Sequence, residues 1–451
     1  MTASPKKVVV VGGGIAGLSA AWELFQKGIP FVLLEESGRL GGKITTARYR
    51  GFLIEGAADA FITQKPYAEQ LARELGMEDD LISTLPENKK TYLLREGQLH
   101  RIPPSFRLIA PLDEEEFLAS GLLSEEGKKR LLEEQFIPAK EGEGDESLAS
   151  FITRRFGPEA TTTIAEPMLG GIYVSDPQKL SMQAAFPQYL RMEQEHGSVI
   201  RGVRENHRKN PPTKPVFYSL KNGMGSLIER LYTELHEHIQ LGANVVRIDR
   251  EHRVHLEDGE VIEASQVILA TPAATSKAFL QEDFADTARL LDEMETNSSA
   301  VAVFGFSRDQ IELDTSTYGF IVSGFEETPL LAATLHSSKF AGRAPDKHVL
   351  LRAYLGGHRN PQIPLMHSPD IAEIGLNALR PILGIQGSPQ FWRVYNWLDN
   401  NPMYKVGHLD RVKTIQQSLP DSIKLIGSSY GGVGIPDCIR YAREMVRQMV
   451  S

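Results

Sequence analysis

Gly12, Gly13, Gly14, Ile15, Ala16 and Gly17 match the pattern G-x-G-x-x-G, and Glu35 follows the last glycine by 18 positions. Glycines at this spacing suit a dinucleotide. The first permits a tight turn, the second lets a diphosphate approach the backbone, and the third lets a helix pack closely on a strand. Free amides and the positive helix end then face the phosphates. An acid placed like Glu35 accepts hydrogen bonds from ribose hydroxyls. A second run continues directly from it: Glu35, Glu36, Ser37, Gly38, Arg39, Leu40, Gly41, Gly42 and Lys43. Its glycine pair, flanked by the cations Arg39 and Lys43, can wrap a diphosphate from the other side, an extension that a nicotinamide dinucleotide site does not need.

A lone glycine pattern is weak, so the flanking elements carry the inference. Val8, Val9, Val10 and Val11 form the apolar, β-branched run that a strand buried on both faces requires. Leu18, Ala21, Trp22 and Phe25 then recur at helical spacing, Lys27 and Gly28 supply a stop, and a second apolar run ends at Glu35. Strand, turn, helix and strand within about 30 residues have the dimensions of a βαβ unit. The charge-free stretch 8–22 superficially copies the apolar core of a secretory signal. Its three consecutive glycines fit a phosphate-binding turn better, and it is shorter than the roughly 20 apolar residues of a membrane span.

Further along, 67–75 and 118–135 carry apolar residues at three and four spacing and read as helices. Residues 141–146 read as a solvated loop without calcium-loop spacing, and 206–215 as a linker. A helix at 227–235, a strand at 245–248, a hairpin around Asp258 and Gly259, and a strand at 267–270 supply further strands for the nucleotide-binding sheet. The strand-rich portion 299–397 predicts a second sheet. A strand at 423–426, a glycine-rich turn at 430–436 and a helix at 437–449 aim a second helix start at the cofactor.

The chain has 451 residues, room for about two to four domains. With 41% hydrophobic and 24% charged residues it is an ordinary globular composition, and a net charge of −9 disfavours nucleic acid as a partner. One cysteine, Cys438, excludes an internal disulfide and a cysteine-cluster metal site, and fits a reducing compartment. No histidine or carboxylate group has metal-site spacing, so no metal is expected. His408 is a candidate base that reads better as structural. Cys438 starts a helix, where a thiol pKa can be lowered, yet packing is its better reading.

The two glycine runs resemble those of the superfamily of FAD-dependent amine oxidases, phytoene desaturases and protoporphyrinogen oxidases. Within it, nearly the whole chain resembles the porphyrinogen oxidases of heme biosynthesis, most closely the type of Gram-positive bacteria. Glu166 and Pro167 with Gly170, Gly171, Ile172 and Tyr173 carry this narrower likeness. So do Lys65, Trp397, Tyr404 and His408, and the ending Gly432, Val433, Gly434, Ile435, Pro436, Asp437, Cys438 and Ile439. Two departures stand out. Glu55, Gly56, Ala57, Ala58, Asp59 and Ala60 occupy a place where Gly-Pro-Asp-Ser is usual, and Arg440 and Tyr441 replace a small residue and a glycine.

Elements and resemblance together predict an α/β plus α+β fold: a Rossmann-type FAD-binding domain from 1–65, 213–290 and 400–451, a mixed-sheet substrate-binding domain from 85–105 and 291–399, and a helical, membrane-facing or covering domain from 66–84 and 106–212. The resemblance implies FAD as cofactor. Besides the two glycine runs, it implies cofactor contacts from Ala57, Ala58, Val245, Trp397, Gly432, Val433, Gly434 and Ile435. It implies six-electron oxidation of coproporphyrinogen III to coproporphyrin III by oxygen, producing hydrogen peroxide. Protoporphyrinogen IX is the close alternative, a flavin amine oxidase or carotenoid desaturase a distant one, and a non-enzymatic flavin-binding or membrane-docking protein a third class. Lys65, matching the family's lysine, is the first choice for a substrate carboxylate, with Gly171, Ile172 and Tyr173 as a wall of the pocket. A cytoplasmic enzyme is expected, and the resemblance leaves open weak peripheral contact with the inner face of the cell membrane and a hand-off partner from the heme pathway.

Overall fold

The computed structural model describes residues 7–142 and 144–449. The strand β1 (Lys7–Val11) lies between parallel neighbours, β2 (Phe31–Glu35) and β3 (Val261–Leu269), and its valines are buried because both faces are covered, Val8 and Val10 in one apolar cluster and Val9 and Val11 in another. The helix α1 (Ile15–Gln26) connects β1 to β2 and buries Leu18, Ala20, Ala21, Trp22 and Leu24. Ile239–Leu241 extends the sheet beyond β2, and β4 (Ile423–Leu425) adds a parallel strand against the end of β3. The start of β3 pairs antiparallel with Arg253–Leu256, which pairs with Val245–Ile248, the hairpin expected around Asp258 and Gly259. Distant segments thus complete one sheet, and the C-terminal helix α2 (Ile435–Met449) packs against α1.

A second seven-stranded sheet has the order Phe391–Pro402, Thr296–Ser307, His348–Gly356, Leu330–Leu335, Gly319–Val322, Thr91–Arg95, Gln98–Arg101. It is antiparallel except where Gly319–Val322 runs parallel to Thr91–Arg95, and Phe391–Pro402 crosses position 400, where a boundary was expected. A third apolar cluster, including Phe117, Leu131, Phe151, Phe156 and Ile164, lies under helices between Glu114 and Lys209.

Four local expectations change. The stretch 118–135 is not one helix: Glu114–Leu118 and Glu125–Leu132 are separate, because Ser124 turns out of helical geometry and its hydroxyl accepts from the Gly127 amide as an N-cap. The run 141–146 is not a purely solvated loop. Glu143 lies outside the described residues, but Asp145 accepts from the Ser181 hydroxyl and the Gly407 amide, and buried Glu146 pairs with Arg154 at 2.7 Å. Residues 67–77, grouped by sequence with the helical cover, bury Ala68, Leu71, Ala72, Leu75 and Met77 in the same cluster as α1 and α2. The expected linker begins later than 206, since the helix Val199–Lys209 runs into it.

Candidate active site

The carboxyl ends of β1, β2 and β3 open onto a cavity of about 430 Å³, the place where open parallel sheets bind ligands. Gly12 turns the chain away from β1 at φ 106°, a conformation that strains any residue with a Cβ, and its amide donates to Leu34 O at 2.8 Å. A Cβ at Gly17 would sit 1.9 Å from Gly12 O, so α1 reaches the turn only because position 17 is glycine. Gly12, Gly13, Gly14, Ile15 and Ala16 all line the cavity, whereas Gly17 packs behind it.

Glu35 ends β2 on the cavity wall. Its Oε2 accepts from the Gly13 amide at 2.6 Å and Oε1 from the Ser37 amide and hydroxyl at 2.9 and 2.6 Å. The carboxylate thereby fixes both turns, and its remaining lone pairs can accept ribose hydroxyls. Glu36, Gly41, Gly42 and Lys43 line the wall as well; Arg39 does not, since its guanidinium donates to Leu40 O and Gly42 O and staples the loop. Gly41 N donates to Gly13 O at 2.8 Å, tying the second glycine run to the first. The Lys43 ammonium donates to Asn400 O and, at 3.1 Å, to Asn401 Oδ1. Burial lowers its pKa to about 8.

Ala57 and Ala58 also line the cavity, so the unusual Glu55 to Ala60 segment keeps its place there. Its anchor lies behind it. The fully buried Arg352 guanidinium donates to Ala57 O and stands 3.2 Å from Asp59, which also pairs with Lys339 at 3.0 Å. Burial alone would raise the Asp59 carboxyl, but Lys339 and Arg352 outweigh it and hold it far below the ordinary range. Trp397 stands behind the same segment, its indole N–H donating to Gly56 O at 3.2 Å, and is not on the cavity wall.

Of the C-terminal run, Val433 and Ile435 face the cavity while Gly432 and Gly434 form the turn behind. Tyr404 fixes that turn: its hydroxyl donates to Ser428 O at 2.6 Å and accepts from the Gly432 amide at 2.8 Å. His408 stacks on Tyr404 at 3.8 Å and is buried, and burial, assisted by Arg411, lowers its pKa to about 4. It is a neutral structural ring. Cys438 borders the cavity, but burial and the neighbouring Asp437 push its thiol up to about 12, the reverse of the lowering that a helix start alone suggests.

Ile172 and Tyr173 line the cavity, with Gly171 just outside it. The Tyr173 hydroxyl donates to Ala185 O at 3.3 Å, and burial pushes its pKa up, so the ring is a wall rather than a base. Lys65 is elsewhere: its ammonium pairs with both oxygens of Asp437, at 2.8 and 2.6 Å, and does not line the cavity. Val245 does, with Ala243 and Asn244. Sequence reasoning missed Asn400, Asn401 and Pro402 and the β3 exit Ala270, Thr271 and Pro272. The strand ending at Ala270 was the available signal for the second group; nothing in the first marks it before folding brings it to Lys43.

The sequence profile of the flavin containing amine oxidoreductase family matches residues 15–450. The chain belongs to that family. It is 31% identical to the coproporphyrinogen III oxidase of Bacillus subtilis (strain 168), over 99% of this chain and 98% of the relative. It is 29% identical to the coproporphyrinogen III oxidase of Propionibacterium freudenreichii subsp. freudenreichii, over 99% and 91%. A solved structure provisionally named as a protoporphyrinogen oxidase, from Exiguobacterium sp. 255-15, superposes with a TM-score of 0.87 at 30% identity, covering 99% of this chain and 98% of that one. A flavin family on a dinucleotide-binding turn means FAD, and the residues fit it. The turn is free of side chains where a diphosphate must approach, with open space at the Cβ position of Gly14 and acids at the end of β2 for ribose.

Proposed function

We propose that the chain is an oxygen-dependent porphyrinogen oxidase that converts coproporphyrinogen III to coproporphyrin III. The observation that carries this reading is the full-length likeness to coproporphyrinogen III oxidases, joined to the placement of the Ile172 and Tyr173 turn on the cofactor cavity. When bound, FAD supplies a two-electron acceptor that passes its electrons to oxygen, so three rounds remove six electrons and yield three hydrogen peroxide molecules per porphyrin.

The protein's own part is binding and orientation. Amides of Gly14 and the α1 start receive the diphosphate, Glu35 and Glu36 offer acceptors to ribose hydroxyls, and Lys43 supplies a cation. Ile172, Tyr173 and Val433 offer apolar faces to the macrocycle. An electron-rich ring that gains aromaticity needs placement more than acid–base help, in keeping with a protonated Tyr173 and a neutral His408. Lys65 reaches a substrate carboxylate only by exchanging Asp437 for it.

Turnover of coproporphyrinogen III against protoporphyrinogen IX tests the substrate. A strong preference for the latter, which the name of the Exiguobacterium neighbour favours, replaces this choice. Among the described residues no helix is long and apolar enough to cross a membrane. We place the enzyme in the cytoplasm. Exposed Leu118 and Phe136 on the helical cover are where loose contact with a membrane face would fall, and the reactive porphyrin product calls for a partner enzyme that accepts it.

A further inference from the structure

With Lys65 paired to Asp437, a substrate bearing several carboxylates gains from a further cation elsewhere. A second cavity of about 20 Å³, room for roughly one water-sized group, adjoins the Gly171–Tyr173 turn. Gly171 and Val174 line it, while Ile172 and Tyr173 line the large cavity, so a single helical turn separates the two. Its polar side chains are Glu166, Ser175, His358 and Arg359, of which Ser175 donates to Tyr173 O at 3.1 Å.

The backbone around it is unusual on both sides. Glu166 belongs to a π-helix, Thr161–Gly170, that contains Pro167, and Val174 beyond it is left-handed at φ 53°. Such departures cost energy and cluster at functional sites. His358 and Arg359 leave the strand His348–Gly356 through Gly356 and Gly357, at φ 94° and 68°. Glu166 Oε1 lies 3.4 Å from His358 Nε2 and 3.6 Å from Arg359 Nε. The second distance is too long for a hydrogen bond. Arg359 Nη1 donates to Ser323 O at 3.3 Å, but its Nε is buried without an acceptor. A buried guanidinium N–H left in this state is costly, and a second carboxylate is an acceptor that would satisfy it.

We propose that Arg359, assisted by His358, forms a carboxylate subsite that receives one propionate of the porphyrinogen on the far side of the Gly171–Tyr173 turn from the cofactor. This assignment rests on the porphyrinogen reading above and makes Arg359 a substrate-binding residue.

The test uses FAD-loaded enzyme with Arg359→Gln and Arg359→Lys, measuring KM and kcat with coproporphyrinogen III and binding of coproporphyrin III and its tetramethyl ester. A charge-assisted contact predicts that Arg359→Gln weakens binding of the tetra-acid about 10- to 100-fold. FAD content stays unchanged, the ester binds both proteins alike, and Arg359→Lys restores part of the loss. Equal weakening of acid and ester, or unchanged KM, overturns the subsite. Wild-type enzyme that neither oxidises a porphyrinogen nor binds the porphyrin overturns the porphyrinogen reading instead.

Discussion

Gly14 and Gly17 sit three residues apart in one motif, and the structure assigns them opposite failures on substitution by alanine. At Gly17 the new Cβ would lie 1.9 Å from Gly12 O, and real Cβ contacts stay beyond 3.0 Å, so turn and helix must separate by about 1.1 Å. α1 cannot yield easily, since Leu18, Ala20, Ala21 and Leu24 are packed at 1% exposure or less. Overpacking of this kind costs about 1–3 kcal/mol. At Gly14 nothing lies within 4 Å and the backbone is at φ −71°, ψ 176°, which alanine adopts freely. Loss of a glycine N-cap there costs about 1 kcal/mol or less. The added methyl instead points into space that the diphosphate must use. Thermal unfolding of apoprotein and FAD titration by flavin fluorescence separate the two. Gly17→Ala should melt lower without FAD, whereas Gly14→Ala should melt near wild type yet bind FAD at least about tenfold more weakly, a difference of roughly 1.4 kcal/mol. An unchanged melt for Gly17→Ala, or wild-type FAD affinity for Gly14→Ala, refutes the reasoning.

Burial lowers the Lys43 pKa from 10.5 to about 8. The apoprotein should therefore shed this proton above pH 8, and FAD, whose diphosphate favours the charged amine, should bind with proton uptake and falling affinity as pH rises past 8. Calorimetry in buffers of different ionisation enthalpy measures the uptake, and Lys43→Gln should abolish it. His408 is neutral in the native state with a pKa near 4 against 6.5 unfolded, so stability contributed by the neutral ring is lost as pH falls from 6.5 to 4, up to about 3 kcal/mol. His408→Gln should flatten that slope in urea titrations across the window. Asp59→Asn leaves Arg352 and Lys339 without their carboxylate; removing one partner of a buried pair costs about 3–5 kcal/mol. Denaturant unfolding should register that loss, with weaker FAD retention as the Ala57 segment loosens.

The nucleotide-binding half of the site was legible because its determinants are local. Glycines at 12, 13, 14 and 17 must meet a strand end and a helix start within a few residues, and Glu35 closes its own strand. The pairing of Lys65 was hidden for the opposite reason: its partner Asp437 lies 372 positions away, and only the fold shows that this lysine meets an internal carboxylate. Trp397 and Arg39 illustrate the same limit. Both stand beside the cofactor cavity in sequence terms, yet their polar groups are used on Gly56 O and Gly42 O. Arg352 is invisible in the sequence, one cation among many, until the second sheet places it under Ala57. Helical periodicity over 118–135 misled because Ser124 and Glu125 start a new helix within the pattern.

Anaerobic mixing of the FAD-loaded protein with coproporphyrinogen III, while flavin absorbance is followed, tests the central claim most directly. The account predicts bleaching of the oxidised flavin, with recovery and porphyrin absorbance when oxygen is admitted. A flavin left oxidised by both coproporphyrinogen III and protoporphyrinogen IX contradicts it.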